Sequence, residues 1–196
     1  ICPPMTDYVT VTSDAPEGRT GAIKLHGRAA FDGMHKAGRL CAETLDMLVP
    51  HMVPGVTTAE IDRLIYDFIT AAGGVPATLG YRGYTHSTCI SINHVVCHGI
   101  PSEKTLKSGD IVNVDVTPIL DGWHGDSAWT FGVGELSAED EDLSEATRLA
   151  MEAGIAAMLD HPVPVLDDCR VSKLANCFPM IPSGAAHTEA STSEAP

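Results

Sequence analysis

A β-hairpin is the clearest signal in the chain, within residues 110–126, which run Asp-Ile-Val-Asn-Val-Asp-Val-Thr-Pro-Ile-Leu-Asp-Gly-Trp-His-Gly-Asp. Apolar and polar residues alternate up to an Asp-Gly pair, a dipeptide typical of a two-residue hairpin turn. With that turn, Asp115 lies opposite Ala128 and Asp126 lies opposite Thr117. Since residues 115 and 117 share one face of a strand, both carboxylates project to the same side as diagonal neighbours.

Two carboxylates aimed at one point repel each other unless a positive group lies between them. A divalent cation, or a pair of cations about 3.5–4 Å apart with bridging carboxylates, removes that repulsion. Asp115 is also flanked by Val114 and Val116 in an apolar strand, where a solvated charge is unexpected. The alternative, equally open on spacing alone, makes Asp115 a hydrogen-bonded acid on the solvent face and Asp126 an ordinary residue beside the turn.

Two amphipathic helices are predicted before the hairpin. The first runs from about Arg28 to Pro50, and the second follows the T-x-x-E capping box of Thr57 and Glu60 and stops at Gly73. Steps of three and four residues between apolar positions give each helix one buried face. These faces comprise Met34, Gly38, Cys41, Leu45, Leu48 and Met52 in the first helix, and Ile61, Leu64, Ile65, Phe68 and Ile69 in the second.

Short strands and a third helix complete the pattern. Residues 88–93 and 95–98 are expected to form short paired strands, because β-branched residues flank a turn there. Ser137 with Asp140 caps a last helix that ends near Leu159. The inward face of that helix is expected to hold Leu143, Ala146, Leu149 or Ala150, Ala153 and Ala157.

The composition narrows the class of protein. The 196 residues include 12 Lys+Arg and 26 Asp+Glu, and the net charge of −14 argues against nonspecific binding to nucleic acid or an anionic membrane. No apolar run approaches the roughly 18–20 residues of a membrane span, and no signal peptide is recognisable, so a cytoplasmic location is expected. Six irregularly spaced cysteines without a C-x-x-C pair are expected to be reduced thiols.

The chain divides into three parts on composition. Residues 1–23 are expected to be a loose N-terminal arm, with Met5 as a plausible initiator, and residues 24–159 a single αβ domain. Residues 160–196 are rich first in proline and then in small polar residues. Such a segment buries too little surface to offset its ordering entropy, so a flexible tail is expected there.

Beyond these patterns, two runs resemble type I methionine aminopeptidase. Residues 81–101 run Tyr-Arg-Gly-Tyr-Thr-His-Ser-Thr-Cys-Ile-Ser-Ile-Asn-His-Val-Val-Cys-His-Gly-Ile-Pro, and residues 106–115 run Leu-Lys-Ser-Gly-Asp-Ile-Val-Asn-Val-Asp. The likeness covers roughly residues 24–159. It implies the α+β pita-bread fold, in which two pseudo-symmetric halves surround a dinuclear metal site; only the first half, an antiparallel sheet with covering helices, is recognisable here.

The resemblance implies a hydrolytic metal centre. Asp115 would ligate one of two divalent ions (Co, Mn, Fe or Zn), and Asp126 would bridge both. His98 would hydrogen-bond the scissile peptide without ligating a metal. The implied activity is removal of the initiator methionine, and the implied partners are nascent polypeptide N-termini, met at the ribosome.

The resemblance also implies two further binding sites. Tyr81, Tyr84 and Cys89 match positions that line the pocket for the initiator methionine side chain, an apolar pocket that is compatible with a place in the core. Asn93 and Val95 match a backbone-carbonyl site for a monovalent cation.

The likeness ends near Leu159, and the family's later ligands, one histidine and two glutamates, have no counterpart in residues 160–196. Two carboxylates from one hairpin supply only part of two coordination spheres, so we expect weak metal binding and slow or no hydrolysis by this chain alone. A complete protein is expected to be monomeric and a truncated one to associate, because a half-sheet exposes apolar surface. Two alternatives stay open: an X-Pro aminopeptidase or creatinase-like member of the same fold, and a catalytically inactive fragment or scaffold that binds a partner.

Overall fold

The structure, a computed structural model, describes residues 8–10, 22–24 and 26–160. The α-helices of this part are α1 (Arg28–Leu48), α2 (Thr58–Ala71) and α3 (Ala138–Leu159). The strands are β1 (Tyr8–Thr10), β2 (Ala22–Lys24), β3 (Val75–Pro76), β4 (Cys89–Ile92), β5 (Ile111–Val116), β6 (Pro118–Leu120), β7 (Trp123–His124) and β8 (Ser127–Gly132). The predicted arm and tail lie mostly outside the described residues, as do Met5, Cys2, Cys169 and Cys177.

The hairpin within residues 110–126 forms as the sequence predicts. Strands β5 and β8 pair antiparallel with Asp115 opposite Ala128, and β6 and β7 continue the same register toward the turn. At the turn, Asp121 and Gly122 both have positive φ angles, of 51° and 83°, as a two-residue turn of this type requires. The turn residues therefore set the register of the whole hairpin.

Two three-stranded antiparallel sheets form the framework of the domain, in the orders β4-β5-β8 and β3-β6-β7. Helices α1 and α2 cover one face of the first sheet, where Val112, Val114 and Val116 of β5 are fully buried in the core. Because side chains alternate along a strand, Asn113 and Asp115 project from the opposite face. The expected antiparallel sheet with covering helices is confirmed.

The predicted helix ends are also found. The Thr57 hydroxyl accepts a hydrogen bond from the Glu60 amide at 3.1 Å, and Gly73, with φ of 80°, follows the end of α2. The Ser137 hydroxyl accepts one from the Asp140 amide at 3.2 Å and begins α3. In α2 the buried face comprises Ile61, Ile65 and Ile69, with Leu64 and Phe68 half-buried at its border.

The predicted buried face of α1 is wrong in its first two turns. Met34 is 50% exposed and Gly38 is exposed, although the later positions are buried as expected. Small residues take the inner positions because the helix passes close to the hairpin: a Cβ at Gly33 would lie 2.5 Å from the Trp123 side chain. The buried face comprises Ala37, Leu40, Cys41, Thr44, Leu45 and Leu48.

The second short strand, predicted over 95–98, is wrong. The chain leaves β4 at Asn93, with φ of 54°, and His98 has φ of 56°, so the backbone between them is not extended. A hydrogen bond from the Ile90 amide to the Gly99 carbonyl (2.8 Å) brings the returning chain beside β4. The segment is a loop rather than a paired strand.

The predicted inward face of α3 is also wrong. No residue of α3 is buried, and Leu143 and Leu149 are 58% and 51% exposed. The reason is that the described residues place no packing layer against this helix. All the residues predicted to point inward are exposed: Leu143, Ala146, Leu149, Ala150, Ala153 and Ala157.

Within residues 26–160 and the two short N-terminal strands, no helix has the length and apolarity to cross a membrane. The cysteines described there, Cys41, Cys89 and Cys97, are reduced, and the first two are buried.

Candidate metal centre

Asp115 lies on the face of the β4-β5-β8 sheet opposite the core. Its neighbours Val114 and Val116 are in the core, so strand alternation turns its side chain to the other face, where it is half-buried. Directly across from it lie Cys89 on β4 and Ala128 on β8. Both neighbours have small side chains.

Asp126 lies between β7 and β8 and is exposed. The Thr117 hydroxyl donates a hydrogen bond to one of its carboxylate oxygens at 3.3 Å, as the predicted register requires. The preceding residue, Gly125, donates its amide to the Pro118 carbonyl at 2.9 Å and touches α1 so closely that a Cβ would lie 2.2 Å from the Ala37 carbonyl oxygen. The backbone beside Asp126 is therefore fixed against both the hairpin and the helix.

The two carboxylates interact electrostatically. The pKa of Asp115 is raised above its ordinary value, first because burial disfavours the charged form and second because the charge of Asp126 repels it. The imidazole of His98 opposes this shift. The structure thus places both Asp126 and His98 within electrostatic reach of Asp115, and a cation between the carboxylates would relieve their repulsion.

The predicted methionine pocket is divided between core and surface. Tyr84 and Cys89 are buried together, with the Cys89 thiol 3.7 Å from the Tyr84 hydroxyl, which itself donates to the Thr88 carbonyl at 2.8 Å. Burial raises the pKa of the Cys89 thiol to about 11 and also raises the pKa of Tyr84, so both groups are neutral at pH 7. Tyr81 is 54% exposed on a short 3-10 turn, with the Arg82 guanidinium over its ring.

Asn93 has a role that the sequence does not reveal. Its side-chain amide donates to an Asp110 carboxylate oxygen at 2.9 Å, and its side-chain oxygen accepts the Ile111 amide at 3.0 Å. These bonds tie the end of β4 to the start of β5. The monovalent-cation site at Asn93 and Val95 depends on backbone carbonyls and stays a prediction.

Sequence reasoning missed the polar residues that support the site. The Thr88 hydroxyl donates to the Asp115 carbonyl, and the Ser91 hydroxyl accepts the Gly99 amide at 3.0 Å. On the helix side, the Cys41 thiol donates to the Val116 carbonyl at 3.1 Å. The available signal is the run of small polar residues in a strand that is otherwise apolar and buried, where each hydroxyl needs a partner.

The donor set partly fits a divalent ion. Carboxylate oxygens suit several hard or borderline divalent cations, and Asp115 and Asp126 approach from one hairpin. Among the residues that the structure describes, however, no group of three or more His, Cys, Asp or Glu side chains is arranged to hold a metal. This part of the chain can therefore supply one side of a coordination sphere and leaves the other positions to further ligands.

Comparisons with known proteins point to one family. The sequence model of metallopeptidase family M24 matches residues 32–165. Methionine aminopeptidase from Rickettsia prowazekii is 50% identical over 133 residues, which are 68% of this chain and 51% of the relative. The relative from Escherichia coli K12 is also 50% identical, over 65% of this chain and 49% of its own length. The chain thus spans about half the length of the curated relatives it matches.

Solved structures give the same picture of the fold. The crystal structure of methionine aminopeptidase from Thermotoga maritima superposes with a TM-score of 0.65 at 36% identity, over 68% of this chain and 54% of that one. An Xaa-Pro dipeptidase from Bacillus anthracis superposes with a TM-score of 0.54 at 21% identity, over 66% of this chain and 34% of that one. The second likeness shows the shared fold alone.

Proposed function

Because this chain belongs to metallopeptidase family M24, we propose that it carries the N-terminal part of a methionine aminopeptidase, a metal-dependent hydrolase that removes the initiator methionine. The observation that supports this most is the arrangement of the two carboxylates. Asp115 and Asp126 project from one hairpin toward one side and repel each other, and His98 acts electrostatically on Asp115. A divalent cation between the two carboxylates would offset their repulsion, which is why this arrangement supports a metal site.

Each residue has a definite task in this proposal. Asp115 and Asp126 would hold one side of a centre of divalent ions. When bound, such ions supply Lewis acidity that polarises a peptide carbonyl and acidifies water. His98, exposed on its loop, donates a hydrogen bond to the oxygen of the scissile peptide, where negative charge develops during hydrolysis.

Substrate selection is assigned to the buried pair Tyr84 and Cys89. Both side chains are neutral at pH 7 and together present an aromatic ring and a thiol, which suit the polarisable thioether of methionine. Tyr81, at the surface, would close the pocket from outside. The proposed substrates are nascent polypeptide N-termini in the cytoplasm, encountered as they leave the ribosome.

An inactive fragment or binding scaffold is the second candidate. The described residues offer two carboxylates and no third ligand beside them, so the chain alone is expected to bind metal weakly and to hydrolyse peptides slowly or not at all. In that case the exposed apolar residues of α3 would associate with another surface. Peptidase assays separate the candidates: a methionine aminopeptidase should cleave Met-Ala peptides, an X-Pro aminopeptidase should cleave X-Pro peptides, and an inactive fragment should cleave neither.

The test is a calorimetric titration of the full chain with Mn²⁺ or Co²⁺. We expect weak binding that is lost in Asp115→Asn and in Asp126→Asn. The matched control is Asp121→Asn, which removes an equal charge from the same hairpin at a turn position that asparagine tolerates. Binding that survives in both site variants, or that disappears equally in the control, contradicts the proposed centre; tight binding of two ions contradicts the expected weakness.

A further inference from the structure

The loop of residues 93–99 carries His98, and its return to the sheet is tightly restrained. The Gly99 carbonyl accepts the Ile90 amide at 2.8 Å, and the Gly99 amide donates to the Ser91 hydroxyl at 3.0 Å. A Cβ on Gly99 would lie 2.0 Å from the Ile90 carbonyl oxygen, so the loop lies directly on the strand. The residue after His98 is thus fixed in position by β4.

The conformation of His98 itself needs such restraint. Its φ of 56° lies in the left-handed region, which is unfavourable for a residue with a side chain. Backbone of this kind persists only where the surrounding structure holds it. The bonds on Gly99 are the adjoining restraint, because a rotation at His98 would carry the Gly99 amide away from its acceptor.

Ser91 is the residue whose side chain takes part in the hydrogen bonds that hold Gly99. It is 2% exposed on β4, and its hydroxyl accepts the amide of Gly99, which is also buried. An alanine at position 91 would keep the strand but leave that buried amide without its acceptor, which is costly. The loop would then move to satisfy the amide elsewhere, and His98 would leave its left-handed conformation.

We infer that Ser91 is a positioning residue, whose hydroxyl holds His98 in its left-handed conformation and so fixes where the loop presents the imidazole. The contribution of Ser91 to catalysis rests on the proposed function, whereas its effect on the backbone conformation of His98 does not. Ser91 touches neither substrate nor metal in this scheme. It acts only through Gly99.

The first experiment is made without metal. Scalar couplings in solution NMR report the sign of φ at His98 in the full chain and in Ser91→Ala. We expect the positive φ to be lost in most molecules of the alanine variant and retained in Ser91→Thr, which keeps a hydroxyl. The matched control is Ser87→Ala, a serine that is 3% exposed in the segment leading into β4, and it should retain the positive φ.

The second experiment adds Mn²⁺ and compares paramagnetic broadening at the His98 imidazole with broadening at the Thr117 methyl, beside Asp126. In Ser91→Ala the broadening at His98 should fall several-fold relative to Thr117. If Mn²⁺ broadens neither group in the unmodified chain, the metal centre fails while the metal-free experiment still decides on Ser91. An unchanged φ in Ser91→Ala, an equal loss in Ser87→Ala, or a threonine variant that behaves like alanine overturns the inference.

Discussion

Replacing Gly125 by alanine tests how the hairpin holds Asp126. The added Cβ would lie 2.2 Å from the Ala37 carbonyl oxygen and 2.6 Å from its carbon, whereas a carbon and an oxygen normally approach to about 3.3 Å. The hairpin and α1 must therefore separate by about 1 Å. Ala37 is fully buried, and the obstacle is helix backbone rather than a flexible side chain, so relaxation is limited.

The expected loss follows from two contributions. Forcing an extra methyl group into a packed contact costs about 1–3 kcal/mol. Weakening the hydrogen bond from the Gly125 amide to the Pro118 carbonyl, 2.9 Å long, costs about 1 kcal/mol more. We therefore expect Gly125→Ala to lower the free energy of unfolding by about 2–4 kcal/mol.

The assay is urea denaturation at 25 °C, followed by circular dichroism and analysed by linear extrapolation. Gly122→Ala, in the same hairpin, meets open space but requires a left-handed alanine, so it should cost only about 1 kcal/mol. Gly38→Ala, exposed in α1 with nothing within 4 Å, should stabilise the chain by about 0.5–1 kcal/mol. A loss below about 1 kcal/mol for Gly125→Ala would refute the steric reasoning.

Three further predictions follow from individual side chains. The folded chain keeps the Asp115 proton to higher pH than the unfolded chain does. The free energy of unfolding of the metal-free chain should therefore fall as the pH rises from 3.8 through the raised pKa of Asp115. Urea titrations at several pH values should show a smaller fall in Asp115→Asn. Tyr84→Phe removes the hydroxyl that donates to the Thr88 carbonyl and should lower the free energy of unfolding by about 1 kcal/mol; an unchanged urea midpoint would contradict this. Burial raises the pKa of the Cys41 thiol to about 11. At pH 8, mass spectrometry should therefore find Cys41 alkylated only when urea unfolds the chain. Rapid labelling of the folded chain would contradict this, because it would show that the thiol is accessible.

The elements that local chemistry controls were predictable from the sequence. The Asp-Gly turn alone sets the register that places Asp115 opposite Ala128 and brings Thr117 to Asp126. The capping residues Thr57 and Ser137 likewise mark their helix starts within a residue. In each case the deciding interaction lies within a few residues along the chain.

The wrong predictions have a different cause, because contacts between residues distant in sequence determine these parts of the structure. Met34 is exposed since the inner side of α1 at that point needs small residues next to Trp123. The loop before Gly99 is not a strand because a buried serine hydroxyl and a left-handed His98 replace ladder pairing. Periodicity also marks apolar residues of α3, such as Leu149, without showing whether any surface lies against them.

Strand β5 carries the core and the candidate site on the same six residues, with valines on one side and Asp115 on the other. Asp115 therefore cannot leave the sheet while the interior stays ordered, and the core and this side of the candidate site should open in a single cooperative event. Amide hydrogen exchange at residues 112–116 should then be governed by global unfolding alone. An ion that binds the two carboxylates only in the folded state would stabilise the whole domain. It would therefore slow hydrogen exchange throughout the β4-β5-β8 sheet.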